Sequence, residues 1–258
     1  MLYQYKNSTG TNNRRGANVV RTRNTITRYE IIQVASEFFF EKGYSATSPK
    51  AIAAELQISP GNITYYFPTK EHLLAVIVEM LCDFQWKLFE IEADRGIDSV
   101  ESICLEFMTV ASACQEKDIA KDFFTSAFQS EMSRDYLRNN HIARAKRIFA
   151  KECSDWSEEQ FIQAELLVMG IQYSTVTAND DILPLKIRVS GALHQILNIY
   201  NVDEQTRTAE IEKILQMDCR KLGKQVLAEF IKYVEKTNEQ TLEDLLQRHR
   251  RKNYERKH

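Results

Sequence analysis

Apolar side chains recur at helical spacing along nearly the whole of this chain, and the first clear stripe begins at residue 31. Ile31, Ile32, Val34, Ala35, Phe38 and Phe39 lie on one side of a helix that Thr27-x-x-Glu30 opens as a capping box and Lys42-Gly43 closes. Two short helices are predicted next, from Pro49 to about Leu56 and from Pro60 to about Phe67. Each is introduced by Ser-Pro. Serine accepts an orphan backbone N–H at a helix start, and proline suits the first helical position because its missing N–H would be unpaired there. Ile52, Leu56, Ile58, Ile63 and Phe67 face inward, while Lys50, Gly61, Asn62, Thr64 and Tyr65 stay outside.

Two short helices joined by a tight turn have the geometry of a helix-turn-helix, whose second helix enters the DNA major groove. The second helix carries no carboxylate, as a surface approaching phosphates requires. An ordinary helical hairpin inside a larger core is the bland alternative, and the doubled Ser-Pro start and the polar second helix weigh against it. A fourth helix is predicted over residues 70–92, with Leu73, Ile77, Leu81, Phe84 and Leu88 on one face and Thr69 as its cap. At 1.5 Å per residue it is about 35 Å long, enough to link a DNA-binding head to a second domain. Further helices are predicted at 98–115, 118–130, 133–152, 157–177, 184–200, 204–236 and 241–252, with capping boxes at Ser157-x-x-Gln160 and Thr241-x-x-Asp244. The pattern over 204–236 fits either one long helix or two with a break near Met217-Asp218.

Composition narrows the class. The chain has 258 residues, 43% hydrophobic and 27% charged, with only eight glycines and four prolines, too few for the turns of an all-β fold. The expectation is an all-α protein of two domains. No apolar run reaches the roughly 18 residues of a membrane span, and the amino-terminal residues lack the apolar core of a secretory signal. Five widely spaced cysteines without a CxxC pair are expected to be reduced, buried, cytoplasmic thiols.

The net charge of −2 is unevenly spread: residues 1–82 carry nine basic and six acidic groups, which leaves −5 on the rest. Lys6, Arg14, Arg15, Arg21, Arg23 and Arg28 precede the first acid, Glu30. Residues 1–26 therefore read as a basic, disordered arm, suited either to minor-groove and phosphate contact or simply to solvation. The basic run from Arg248 to His258 is assigned to solvation.

The same stretch resembles a known family. Ala35-x-x-Phe38-Phe39-x-x-Lys42-Gly43-Tyr44-x-Ala46-Thr47, Ile52-Ala53, Ile58-Ser59-Pro60-Gly61-Asn62-Ile63 and Tyr66-Phe67-Pro68-Thr69-Lys70-Glu71-His72-Leu73-Leu74 are similar, in order, to the DNA-binding domain of the tetracycline-repressor (TetR) type of bacterial regulators. The resemblance covers Thr27 to Leu74, about a fifth of the chain. It implies an all-α homodimer with a helix-turn-helix domain over 27–74 and a larger effector-binding and dimerisation domain over 75–258. Two places depart from the pattern: Gln57 stands where many members have the turn glycine, and Thr64 where many have tyrosine. A non-glycine residue in a left-handed turn costs about 1 kcal/mol or more.

By matching position, Thr47, Ser48, Tyr66 and Lys70 are expected near phosphates, and Lys50, Gly61, Asn62, Thr64 and Tyr65 near bases. In the larger domain, aromatic and methionine side chains, Phe84, Phe107, Met108, Phe124, Phe128, Met169 and Tyr173 among them, are candidates for a pocket holding a small, largely apolar effector. Aromatic residues at helical spacing are also ordinary core. His141 and His194 are isolated and no metal or cofactor is expected. No nucleotide-binding or hydrolase motif occurs, so catalysis has no visible carrier.

The resulting expectation is a cytoplasmic repressor on a palindromic operator in double-stranded DNA, released by its effector, with the dimer interface within 157–236 and the segments 184–200 and 204–236 favoured. A DNA-binding factor controlled by a protein partner is the nearest alternative, and an enzyme on a helical scaffold a distant third.

Overall fold

The computed structural model describes residues 27–94, 96, 99–179, 181–238, 240–244 and 247, so the basic arm over 1–26 and the run from Arg248 to His258 lie outside the described residues. Eleven helices and no strand occur among the described residues. Helix α1 (Arg28–Glu41) opens on the expected reciprocal cap: the Glu30 N–H donates to the Thr27 hydroxyl at 3.3 Å, and the Thr27 N–H to the Glu30 carboxylate at 3.0 Å. It stops at Gly43, whose φ of 97° is left-handed.

Helices α2 (Pro49–Glu55) and α3 (Pro60–Tyr66) form the helix-turn-helix. Ser48 caps α2 by accepting from the Ala51 N–H at 3.2 Å. Ser59 departs from expectation: it accepts no cap hydrogen bond, and its hydroxyl instead donates to Asn62 Oδ1 at 3.3 Å. The turn between them is a Schellman closure, with the Ile58 N–H on the Ala53 carbonyl and the Gln57 N–H on the Ala54 carbonyl. Gln57 holds the left-handed position at φ 55°, as the missing glycine predicts.

Helix α4 (Lys70–Asp94) has 25 residues and at 1.5 Å per residue is about 37 Å long. The larger domain follows as α5 (Ser99–Glu116), α6 (Asp118–Gln129), α7 (Glu131–Ile148), α8 (Glu158–Thr177), α9 (Leu185–Ile199), α10 (Glu204–Leu215) and α11 (Cys219–Lys236). The stretch 204–236 is therefore two helices. Asp218 explains the break, because its carboxylate accepts the Lys221 N–H at 3.1 Å and so starts a new helix. Of the segment predicted at 241–252, residues 240–244 are helical and the remainder falls largely outside the described residues.

Two apolar clusters organise the packing. One joins the helix-turn-helix core (Ile31, Ile52, Ile63, Phe67) to Ile77 and Leu81 of α4, Phe123 of α6, Phe230 of α11 and Leu242. The other fills α5 and α7–α10 around Phe149, Leu193 and Ile214. The head and the larger domain thus share a continuous core along α4, with no gap at the expected boundary near residue 74. All five cysteines are buried and unpaired; burial pushes Cys114 up to about 12 and Cys153 to about 11. No helix among the described residues is long and apolar enough to cross a membrane.

Candidate nucleic-acid interface and effector cavity

Helix α3 anchors itself by Ile63, fully buried beneath it, and by half-buried Tyr66, and turns its other side chains outward. Lys50, Gly61, Asn62, Thr64 and Tyr65 are all exposed, as the pattern predicted. Tyr65 is 81% exposed, a large aromatic surface left in water that packing does not explain. Its ring meets Tyr66 edge-on at 5.0 Å, and Tyr66 in turn carries the Arg28 guanidinium 5.9 Å from its ring centroid. A Cβ on Gly61 would meet only Ser59 Oγ, at 3.7 Å, and its φ is not left-handed. The fold does not need glycine there, which leaves bare backbone available for close approach. Ser59 orients the Asn62 amide, and the Thr64 hydroxyl donates to the Gly61 carbonyl at 3.1 Å.

The four residues expected at phosphates divide. Ser48 is exposed, and its cap bond uses the hydroxyl oxygen as acceptor and leaves the O–H donor unspent by that bond. Tyr66 is half-buried beside Arg28. Thr47 is corrected: it is buried, and its hydroxyl donates to the Gly43 and Phe38 carbonyls at 2.8 and 3.3 Å. That side chain closes the end of α1, because the last carbonyls of a helix need donors. Lys70 has a double character. Its ammonium donates to the Tyr44 and Thr47 carbonyls at 3.0 and 3.1 Å and lies 4.1 Å from the Tyr44 ring centroid. These contacts offset the unfavourable position of a cation at a helix N-terminus. Burial raises Tyr44 to about 12, with Glu71 and Asp122 adding to the shift.

Sequence reasoning missed a clamp between the head and the larger domain. Asp122 of α6 accepts the Ser45 N–H at 2.7 Å and the Ser45 hydroxyl at 2.5 Å. Its φ favours glycine at Gly43, and a Cβ there would sit 2.9 Å from the same carboxylate and push Asp122 off its partners. On the other flank, the Tyr29 hydroxyl donates to the Val234 carbonyl at 2.6 Å, and Gln33 Nε2 to the Glu235 carbonyl at 3.1 Å. The end of α11 therefore holds α1.

A partly open cavity lies between α4, α5, α6, α7, α8 and α9. Of the candidate pocket residues, Phe107, Phe124 and Phe128 line it. Phe84 and Phe124 line a second space toward α11. Met108, Met169 and Tyr173 line neither: the methionines are core, and Tyr173 packs edge-on against Phe128 at 5.9 Å while its hydroxyl accepts from Gln129. Periodicity also hid the polar part of the wall. His141, isolated in sequence, pairs through Nδ1 with Glu165 at 2.7 Å, and the Tyr200 hydroxyl donates to the other Glu165 oxygen at 2.9 Å. Burial, together with the Glu165 charge, raises the Tyr200 phenol. Among the described residues no group of three or more His, Cys, Asp or Glu is placed to hold a metal.

A helical head with a carboxylate-free outward helix, carried on a larger helical domain, defines the class as helix-turn-helix DNA-binding proteins. Residues 31–77 match the family model described as bacterial regulatory proteins, tetR family. The chain is 31% identical over 132 residues to the HTH-type transcriptional regulator HbdR of Aromatoleum sp. (strain CIB), an overlap of 48% of this chain and 55% of that protein. With UidR of Escherichia coli (strain K12) it shares 37% over 118 residues, 45% of this chain and 59% of the relative. With QacR of Staphylococcus aureus (strain Mu50 / ATCC 700699) it shares 38% over 66 residues, 24% of this chain and 35% of that one. The chain thus spans between half and three-fifths of HbdR and UidR. Among solved structures, Salmonella enterica GusR aligns with a TM-score of 0.44 at 17% identity, covering 67% of this chain and 94% of that one. Residues 31–77 thus carry the DNA-binding domain of the TetR family of transcriptional regulators.

Proposed function

We propose that this chain is a homodimeric repressor that binds a palindromic operator in double-stranded DNA and releases it when a small, largely apolar molecule occupies the cavity of its larger domain. The head over 27–74 reads DNA, and residues 75–258 hold the effector and the dimer contact. Lys50, Gly61, Asn62, Thr64 and Tyr65 face bases: Asn62 suits adenine, Lys50 guanine, and Thr64 or Tyr65 a thymine methyl group. Ser48, Tyr66 and Lys70 face phosphates and fix register.

The observation that carries this reading is the exposure of Tyr65 on a helix without a carboxylate, itself seated on a fully buried Ile63. Dimerisation is assigned to α8 and the approach to α9, where Ile162, Leu166, Leu167, Ile182, Leu183 and Ile187 leave apolar surface exposed. This revises the expectation of 184–200 with 204–236, since α10 and α11 spend their apolar faces on α5, α9, α1 and α4. Two heads about 34–36 Å apart would then meet successive major grooves.

The cavity touches α4 and α6, and both reach the head. An effector that binds one head spacing better than the other shifts the equilibrium by that difference alone, about 1–3 kcal/mol or 5–150-fold in occupancy. Footprinting of genomic fragments with the purified protein tests the reading. Protection of a palindrome is the expected result; binding that ignores sequence at every salt concentration overturns it. Stabilisation by a protein ligand, with no response to any small molecule, would favour control by a partner instead.

A further inference from the structure

Hydrogen-bond acceptors predominate among the polar groups of the cavity wall, with the Arg144 guanidinium and the His141 ring beside them. Gln85 Oε1 on α4 and Gln172 Oε1 on α8 are buried in its wall with no hydrogen-bond partner. A neighbour fixes which way the Gln85 amide faces. Its Nε2 donates to Glu106 at 2.9 Å, and a flipped amide would set oxygen against that carboxylate. The other Glu106 oxygen holds Arg144 at 2.6 Å, so the one arginine in the wall is already matched by an anion. Across the cavity, Glu165 uses one oxygen for Tyr200 and the other for His141 Nδ1. Glu106 is matched by the Arg144 guanidinium and Glu165 by His141 and Tyr200, so both ionisable donors of the wall already have a carboxylate partner.

Resting on the cavity being the effector site, we infer that the effector is an aromatic or otherwise apolar molecule bearing hydroxyl or amino donors and no carboxylate. Its donors satisfy Gln85 and Gln172 while its body packs against Phe107, Phe124 and Phe128. A carboxylate in this wall meets the Glu106 and Glu165 carboxylates and must compete with them for Arg144 and His141, a poor return for its lost hydration.

Matched probes test the assignment on the full chain: 2-naphthol, 2,6-dihydroxynaphthalene, 2-naphthoate and their single-ring counterparts phenol, hydroquinone and benzoate, read by thermal shift and calorimetry. The hydroxyl-bearing members are expected to bind, the carboxylates to bind at least tenfold more weakly, and Gln172→Leu to erase most of that preference. Ile103→Trp, a partly buried wall position, should block every probe while the melting temperature without ligand confirms folding. Gln85→Met provides a second readout if Gln172→Leu fails to fold. If carboxylates bind as well as hydroxyls and Ile103→Trp blocks them, the ligand class is wrong and the cavity stands. If no probe binds, or binding persists in a folded Ile103→Trp protein, the cavity reading fails and the inference with it.

Discussion

Asp122 on α6 grips Ser45, in the turn between α1 and α2, through both its backbone N–H and its hydroxyl. The two residues that follow Asp122, Phe123 and Phe124, line the large cavity, and Phe123 packs 4.6 Å from Phe40 of α1. One short stretch of α6 therefore touches both the cavity and the DNA-binding head. Helix α4 runs between them as well, but α6 makes the polar contact that a shift of a few tenths of an ångström would strain. Asp122→Ala should keep the fold and leave DNA binding within about tenfold, while ligand-induced release falls from the 5–150-fold range to under about threefold. Fluorescence anisotropy with and without a cavity ligand measures both quantities. Full release in the variant would exclude α6 as the connection.

Lys70 joins stability to binding. Its two carbonyl partners are a charge-assisted pair of hydrogen bonds at the head's own turn. Lys70→Ala should cost about 2 kcal/mol of stability, weaken binding to all sequences alike, and lower the salt slope by about one per protomer. Denaturant titration and affinities across a salt series separate the two effects. An unchanged slope with lowered stability would make Lys70 a positioning residue only.

Base contacts should behave in the opposite way. Asn62→Ala and Tyr65→Ala remove exposed side chains, so stability should move by less than about 0.5 kcal/mol. Asn62→Ala should relax preference at one base pair per half-site by about 1–3 kcal/mol, read by selection from a random DNA pool. If the selected sequences are unchanged, Asn62 does not read a base.

How much of this was legible depends on how far apart the partners lie in the chain. Caps act over three residues, so Thr27–Glu30 and Ser48 could be read directly, and the unusual turn at Gln57 followed from the absent glycine. Contacts across 23 to 77 residues could not: nothing local ties Lys70 to Thr47, or Asp122 to Ser45. Apolar periodicity marks which face of a helix is buried but not whether that face meets another helix or a cavity. Hence Met108 and Met169 read like pocket residues and are core, while Gln85, Gln172 and His141 read as ordinary and line the cavity.

The apolar face on α8 yields a simple assembly test. Leu166 and Leu167 are 57% and 60% exposed, and Gly170 beside them has nothing within 4 Å of a Cβ position, so another helix could approach closely. Leu166→Glu with Leu167→Glu should produce a folded monomer by sedimentation, with operator affinity reduced at least a hundredfold because the two half-sites no longer act together. A variant that remains dimeric would move the interface elsewhere.

Gln57 offers a change in the opposite direction. At φ 55° it occupies the left-handed C′ position of the Schellman closure between α2 and α3. The left-handed strain on an L-residue is about 1–2 kcal/mol, whereas glycine adds freedom to the unfolded chain worth about 0.4–1 kcal/mol. Gln57 is exposed and its side chain makes no hydrogen bond that would be lost from the head. The difference favours Gln57→Gly by up to about 1.6 kcal/mol, a higher melting temperature with DNA specificity unchanged. Chemical denaturation of the two proteins decides the sign. A destabilised glycine variant would mean that the Gln57 side chain supports the turn by contacts outweighing its backbone strain.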